Sequence, residues 1–499
     1  MKRPLFNREP NKLPSDIGKS AFECRVQFIK DAFGNTEDLL MLPILYHEEK
    51  GILFYLETIS DSEKIQESIL VPLCKNPELD FGEIPYTAET KSKIMLEDTI
   101  NALLQGNTIL IVHGEDDLFS FNTKKDLSRS PKEPDNEKAV RGSHAGFVES
   151  LSTNLGFIRQ AIQSKHLRVN YHRTGQYTNT QIAVVYMDGI TNLTLVKRLE
   201  ERLQTLSTDM TFSPGYLEEL IEDQPLSPFP HILFTERPDR AIAQLMEGRI
   251  VLMSEGSCDV LVLPVSFFSF FQTTDDYNSR ILTSSTFRLL RVTSFFLSLL
   301  LPALYIAVIG FHFEIIPNEI LFLVKNSVEN IPFPPLIEAM IMAFTIELIR
   351  EAGIRLPSPI GQTIGIVGGL IIGDAIVSAG LVSNIMVIVI ALTSISSYTI
   401  SSYEMSNTVR LLTFPIMLSA ATFGFVGIIF SLMFIVGHLC KIESLGTPYF
   451  TPVAPFNVQG MKDAFIRFPL WLLKFRPREL LVQNKKRLYR PRRWEKNEK

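Results

Sequence analysis

Only four cysteines stand in the chain of 499 residues, at Cys24, Cys74, Cys258 and Cys440. Their wide separation excludes both a disulfide framework and a zinc-ligand spacing, and it fits a reducing compartment. The eight histidines are scattered, and none stands in HExxH or in a helical pair with acids. GxSxG and Walker sequences are missing too. Gly365-Ile-Val-Gly368-Gly369 has the glycines of a nucleotide loop, yet it lies inside an apolar run with no soluble strand before it. These absences predict a chain that is not an enzyme, with no catalytic residue, no metal and no cofactor. The opening MKRPLFNREPNKLPSD lacks the apolar core of a signal peptide, so any membrane insertion is expected from internal spans.

The most informative shortage is of charge. Up to about residue 291 the sequence is mixed and charged; from 292 to 440 charge nearly disappears. Residues 441–499 then carry 14 Lys and Arg against 5 Asp and Glu, a net +9, which leaves −14 on the rest of a chain with −5 overall. A basic tail beside apolar segments suggests an anionic lipid surface as its partner, and no nucleic acid.

Four apolar stretches follow one another. Residues 292–311 are 20 uncharged residues, about 30 Å of helix and the thickness of a bilayer core. Residues 333–349 contain Glu338 and Glu347, 356–403 are uncharged except for Asp374, and 411–440 are uncharged throughout. Arg280, Arg288 and Arg291 before the first stretch, and the basic tail after the last, place both termini on the cytoplasmic side. Length suggests one, one, two and one crossings, whose odd total conflicts with that placement. Four full crossings and one re-entrant or incomplete element is the reading adopted, with 333–349 and 361–373 as candidates for the irregular piece.

Before residue 291, strand-like runs alternate with amphipathic helices. Residues 39–46 and 52–57 read as strands, 62–73 and 91–105 as helices; 167–171 and 181–187 read as strands, and 192–206 as a helix. Residues 98–117 (DTINALLQGNTILIVHGEDD) and 239–259 (DRAIAQLMEGRIVLMSEGSCD) share one layout: a helix ending at Gly106 or Gly248, an apolar strand, and a turn with glycine and acids. Two α/β subdomains related by internal duplication are expected. The alternative is chance likeness between two common helix–turn–strand units. The fold class is therefore a soluble α/β N-terminal region with two related subdomains, joined to an α-helical polytopic membrane domain. The boundaries are an N-terminal tail at 1–24, subdomain 1 at 25–125, a linker and helix at 126–159 and subdomain 2 at 160–291. A transmembrane domain of four to five helical segments at 292–440 and a basic cytoplasmic tail at 441–499 complete the chain.

Candidate functional residues concentrate in the apolar part. Gly361, Gly365, Gly369 and Gly373 recur every four residues, one bare helix face that lets a second backbone approach closely, within one protomer or between subunits. Asp374, Glu338 and Glu347 are candidates for an ion pathway because a carboxylate in a bilayer needs a polar cavity or partner; snorkelling to the interface is the plainer alternative. Gln362, Thr363, Ser378 and Asn384 add polar groups of the kind that line aqueous paths. TERPDR, 235–240, reads as a helix start with ion pairs, or as a subunit contact through Arg237, Asp239 and Arg240. HGEDD, 113–117, reads as a turn ahead of a metal site. Residues 461–475, with Trp471, read as an interfacial element on lipid, or as part of a disordered basic tail.

Several runs resemble the A subunit of GerA-type spore germination receptors: GYLEELIEDQPLSPFP (215–230), FTERPDRAIAQLMEGRIVLMSEGS (234–257), RLLRVTSFFLSLLLPALYIAVIGFH (288–312) and IELIREAGIRLPSPIGQTIGIVGGLIIGDAIVSAGLVSN (346–384). The resemblance implies the inner spore membrane as location, and assembly with a transporter-like B subunit and a lipoprotein C subunit. It further implies a homo-oligomer that conducts ions when the B subunit recognises a nutrient. A non-conducting scaffold that relays germinant binding to a separate channel is the alternative.

Overall fold

The computed structural model describes residues 21–487 apart from 47–48, 76–90, 93, 116, 127–132, 135, 212, 330, 358–365, 367–368, 370 and 372. The chain divides into two compact units. One comprises residues up to 221 with 234–264 and 476–487; the other comprises 222–233 with 265–475 and 488–499. This division corrects the sequence boundaries. Residues 222–233 and 265–291 belong with the helices, and 476–487 pack on the sheets instead of trailing as a basic tail. Arg476 donates from Nε to the Met246 carbonyl at 2.7 Å, and the Gln483 N–H donates to the Ile190 carbonyl at 2.9 Å.

The first unit is built on two five-stranded sheets. The strands of the first are β1 (Leu39–Tyr46), β2 (Glu49–Leu56), β3 (Lys91–Ser92), β4 (Thr108–Val112) and β5 (Phe119–Phe121). Those of the second are β6 (Leu167–Thr174), β7 (Thr180–Met187), β8 (Leu233–Thr235), β9 (Ile250–Ser254) and β10 (Val260–Leu263). Their spatial orders, β1-β2-β4-β5-β3 and β6-β7-β9-β10-β8, are the same order repeated. The paired glycines occupy equivalent places, with Gly106 at φ +91° and Gly248 at φ +99°. A left-handed residue stops each helix so that the next strand, β4 or β9, can enter its sheet. The helix expected over 91–105 is shorter: Leu96–Leu104 is helical, while Lys91 and Ser92 pair with Ser120 and Phe119 of β5.

Both central strands are buried along their whole length, which explains their unbroken apolar runs. In the first sheet Ile29 and Phe33 of helix Ala21–Phe33 pack with Leu103, Ile109 and Ile111. Ile69 and Phe121 pack with Leu53 and Leu110 on the alternate positions.

The second unit is helical. Ile281–Phe311, Pro335–Arg355, Asn384–Thr399, Tyr403–Phe423 and Phe425–Lys441 are its long helices, with the shorter Asn318–Glu329 among them. Of the described helices, Ile281–Phe311 is long and apolar enough to cross a membrane. It begins eleven residues before the apolar window because its first turns are held by ion pairs. Arg288 donates to Asp276 at 3.0 Å and to Asp463 at 2.7 Å, and Arg291 pairs with Asp276 and donates to the Phe271 carbonyl at 2.7 Å. Two arginines expected to mark a cytoplasmic flank are thus buried structural groups. The segment 461–475 is likewise no continuous amphipathic helix: Arg467 is buried and donates to the Ser279 carbonyl at 2.9 Å.

The uncharged run 411–440 departs most from expectation. Instead of the single crossing expected, whether one long tilted helix or a crossing with a bent end, it breaks at Gly424, φ +59°, and turns back. Ser419 and Ser431 meet across the resulting hairpin at 2.7 Å, and Ser419 Oγ donates to the Gly427 carbonyl at 2.7 Å. The bare Cα of Gly427 permits that approach, since a Cβ there would overlap the Ser419 carbonyl.

Candidate functional site in the helical unit

Glu338 lies in the first turn of Pro335–Arg355 and is fully buried. Its Oε2 accepts a hydrogen bond from the Ser383 N–H at 2.8 Å. Ser383 is the N-cap of Asn384–Thr399: its Oγ accepts from the Met386 N–H at 3.3 Å and lies 3.4 Å from the Tyr305 hydroxyl. The Glu338 carboxylate thus lies at the start of a sixteen-residue helix, at the positive end of that helix's dipole. Glu338 Oε1 has no partner among the described residues.

Glu347 lies nine residues further on, about 14 Å along the same helix. Arg350 Nη1 donates to both its oxygens, at 3.0 and 2.8 Å, and Arg350 Nε donates to the Tyr398 hydroxyl at 2.8 Å. The guanidinium also sits 4.9 Å from the Tyr398 ring centre. Glu338 therefore marks the level where Asn384–Thr399 begins, and Arg350 the level where it ends. The two helices run in the same direction.

Asp374, Ser378 and Asn384 are exposed, with 373–378 on helical backbone. Gly369 and Gly373 are also helical, and a Cβ on either would meet nothing within 4 Å. Gly361, Gln362, Thr363 and Gly365 lie outside the described residues. Within one chain the acids do not converge: Glu338 caps a helix, Glu347 is bound to Arg350, and Asp374 faces outward. No group of three or more His, Cys, Asp or Glu suited to a metal stands among the described residues.

The charged cluster of TERPDR closes on its own chain. Arg237 donates to Asp239 at 3.0 and 2.7 Å and to the Ser143 carbonyl at 2.8 Å. Arg240 pairs with Glu137, whose Oε2 also accepts from the Thr235 hydroxyl at 2.6 Å and the Glu236 N–H at 3.1 Å. Arg237 and Arg240 are both buried. The segment 136–143, read from sequence as linker, supplies these partners. In HGEDD, His113 faces Glu49 at 2.9 Å, a pairing of two exposed side chains.

The sequence reading missed Arg350, Arg410, Ser298 and Tyr398. Arg350 follows one apolar run and Arg410 precedes another. Their position beside such runs was the available signal, because a cation there needs a partner or a polar cavity.

The chain matches the Bacillus/Clostridium GerA spore germination protein family over residues 27–479. It is 36% identical over 469 residues to spore germination protein KA of Bacillus subtilis (strain 168), covering 92% of this chain and 86% of that one. It is 39% identical over 405 residues to spore germination protein GerLA of Bacillus cereus, covering 81% and 82%. Among solved structures, the N-terminal domain of the A subunit of the Bacillus megaterium spore germinant receptor GerK3 aligns at 27% identity. That alignment has a TM-score of 0.37 and covers 48% of this chain and 94% of the other. The chain belongs to the GerA spore germination family, whose members are receptor subunits and not enzymes.

Proposed function

We propose that the chain is the A subunit of a nutrient germinant receptor of the inner spore membrane, and that copies of it assemble into the receptor's ion channel. Family membership implies a multi-subunit germinant receptor complex. In this reading its companions are a transporter-like B subunit and a lipoprotein C subunit. The helical unit exposes large apolar side chains on its surface, among them Phe296, Ile388, Leu392, Leu411, Leu418, Phe430 and Phe434, as a lipid-facing bundle would. In this reading the hairpin at Gly424 contributes two passes where the sequence suggested one, and an even total would put both termini on the spore-core side.

One observation carries the channel reading. Gly369, Gly373, Asp374 and Ser378 stand on a helical segment beside the exposed Ile366 and Ile371, and Asp374 has no partner among the described residues. A carboxylate left facing lipid costs several kcal/mol, roughly 3 on insertion scales. A second copy packed against the bare glycine face would bring such carboxylates around a shared aqueous path. Site-directed cross-linking through cysteines at 369 and 373 in vesicles tests the seam. Cross-linked oligomers support it, and monomers only, from folded protein, count against it.

The scaffold alternative rests on the separation of Glu338, Glu347 and Asp374, which form no continuous path in one chain. It predicts assembly without conduction, so ion flux separates the two readings.

A further inference from the structure

A half-open cavity of about 30 Å³ lies among four helices of the helical unit. Because ~10–15 Å³ admits one water, there is room for about two or three bodies of that size. Ser298 comes from Ile281–Phe311, Glu347 and Arg350 from Pro335–Arg355, Ser394 from Asn384–Thr399, and Arg410 and Thr413 from Tyr403–Phe423.

The charges do not balance. Two guanidinium groups face one carboxylate, and Glu347 is already engaged at both oxygens by Arg350. Arg410 is half-buried and makes no hydrogen bond or ion pair among the described residues. Ser298 Oγ is fully buried, and it too lacks a partner there. The Thr413 hydroxyl is turned away, donating to the carbonyls of Ser298 at 3.1 Å and Val409 at 2.8 Å. A buried hydroxyl costs free energy unless something accepts its hydrogen, and the half-buried Arg410 guanidinium leaves the lining with a net positive charge. A cation is repelled by the net positive charge of this lining.

We propose that the cavity binds a small monovalent anion of about the size of chloride. It would accept hydrogen bonds from the Arg410 guanidinium and the Ser298 hydroxyl and bring the site to neutrality. Such an anion would tie Ile281–Phe311 to Tyr403–Phe423, a contact that responds to halide concentration. The site does not depend on the channel reading.

The test uses the full chain in nanodiscs of neutral phosphatidylcholine. Melting is followed as sodium chloride or bromide replaces sodium gluconate at constant ionic strength. A saturable rise in Tm with either halide is expected, lost in Arg410→Gln and weakened but present in Arg410→Lys. Bromide located by anomalous scattering beside Arg410 and Ser298 would establish the site without any variant. A flat halide titration of the unaltered chain would overturn the proposal, as would an equal rise in Arg410→Gln. Stabilisation that appears only with phosphatidylglycerol in the disc would assign the cavity to a lipid phosphate and overturn it as well.

Discussion

Arg159 and Asp38, 121 positions apart, meet in a two-pronged ion pair with both N···O distances at 2.8 Å and neither side chain exposed. Arg159 belongs to helix Leu151–Ala161, which leads into the second sheet, and Asp38 immediately precedes the first strand of the first sheet. Thr36 completes the joint. Its hydroxyl lies 2.6 Å from Asp38 Oδ1 and accepts the Val169 N–H of β6 at 3.1 Å. The pair therefore locks the two sheet-bearing halves of the first unit to each other.

Breaking one side of this pair should be far worse than replacing both. Asp38→Ala leaves a buried guanidinium uncompensated and should cost about 3–5 kcal/mol. The double variant Asp38→Leu with Arg159→Met should recover a large part of that loss. Denaturation of the full chain, with all single and double variants in one cycle, measures the coupling. Additive losses would show that the pair is not a joint.

His231 gives the fold a defined acid sensitivity. It is buried with neither ring nitrogen hydrogen-bonded, edge-on to Tyr449 at 5.6 Å and 3.8 Å from Glu222. Burial pushes its pKa down from 6.5 to about 4, against the attraction of Asp223 and with the repulsion of His438. Because the unfolded chain binds the proton more readily, stability is complete above about pH 6.5 and declines as pH falls toward 4. The full loss is roughly 3 kcal/mol. Melting curves between pH 7.5 and 4.5 should show this decline, and His231→Phe should flatten it. An unchanged slope in the variant would shift the cause to another group.

The hairpin makes two glycines of one helix behave differently. Gly427→Ala forces a methyl group onto the Ser419 carbonyl and should destabilise by about 1–3 kcal/mol. At Gly437 a Cβ meets nothing within 4 Å, so Gly437→Ala should stay within about 0.5 kcal/mol of the native chain. A membrane-impermeant maleimide should also label a cysteine at 424 and the native Cys440 from opposite faces of sealed vesicles. Labelling of both from one face would refute the turn.

Glu338 combines a capping role with a proposed ionic one, and two substitutions separate them. Glu338→Gln keeps an oxygen for the Ser383 N–H and should cost little stability, whereas Glu338→Ala removes the acceptor and should cost about 1–3 kcal/mol. If the charge serves conduction, Glu338→Gln lowers cation flux in a protein that still folds. Unaltered flux would leave Glu338 as a cap alone.

Local patterns in the sequence disclosed much of the first unit. Gly106 and Gly248 marked equivalent helix ends, and the apolar runs after them marked equivalent strands, because helix stops and buried strands leave short-range signatures. Arg159–Asp38 left none: its partners are remote in sequence, and each alone looks like an ordinary surface charge. Gly424 was hidden differently. A run uniform in hydropathy reports its length but not where it folds back, so the hairpin emerged only in three dimensions. Arg350 and Arg410 stand just outside apolar runs, and no local pattern showed that both line one cavity in the bundle. The glycine stripe was legible as a repeat, and at its described members Gly369 and Gly373 a Cβ would meet nothing within 4 Å.

Cation flux through liposomes carrying the assembled full-length protein, compared with the Asp374→Asn variant at equal oligomer content, tests the channel reading most directly. The account predicts flux from the native oligomer and a several-fold fall in Asp374→Asn with assembly intact. Native oligomers that are folded and assembled yet pass no ions would contradict it.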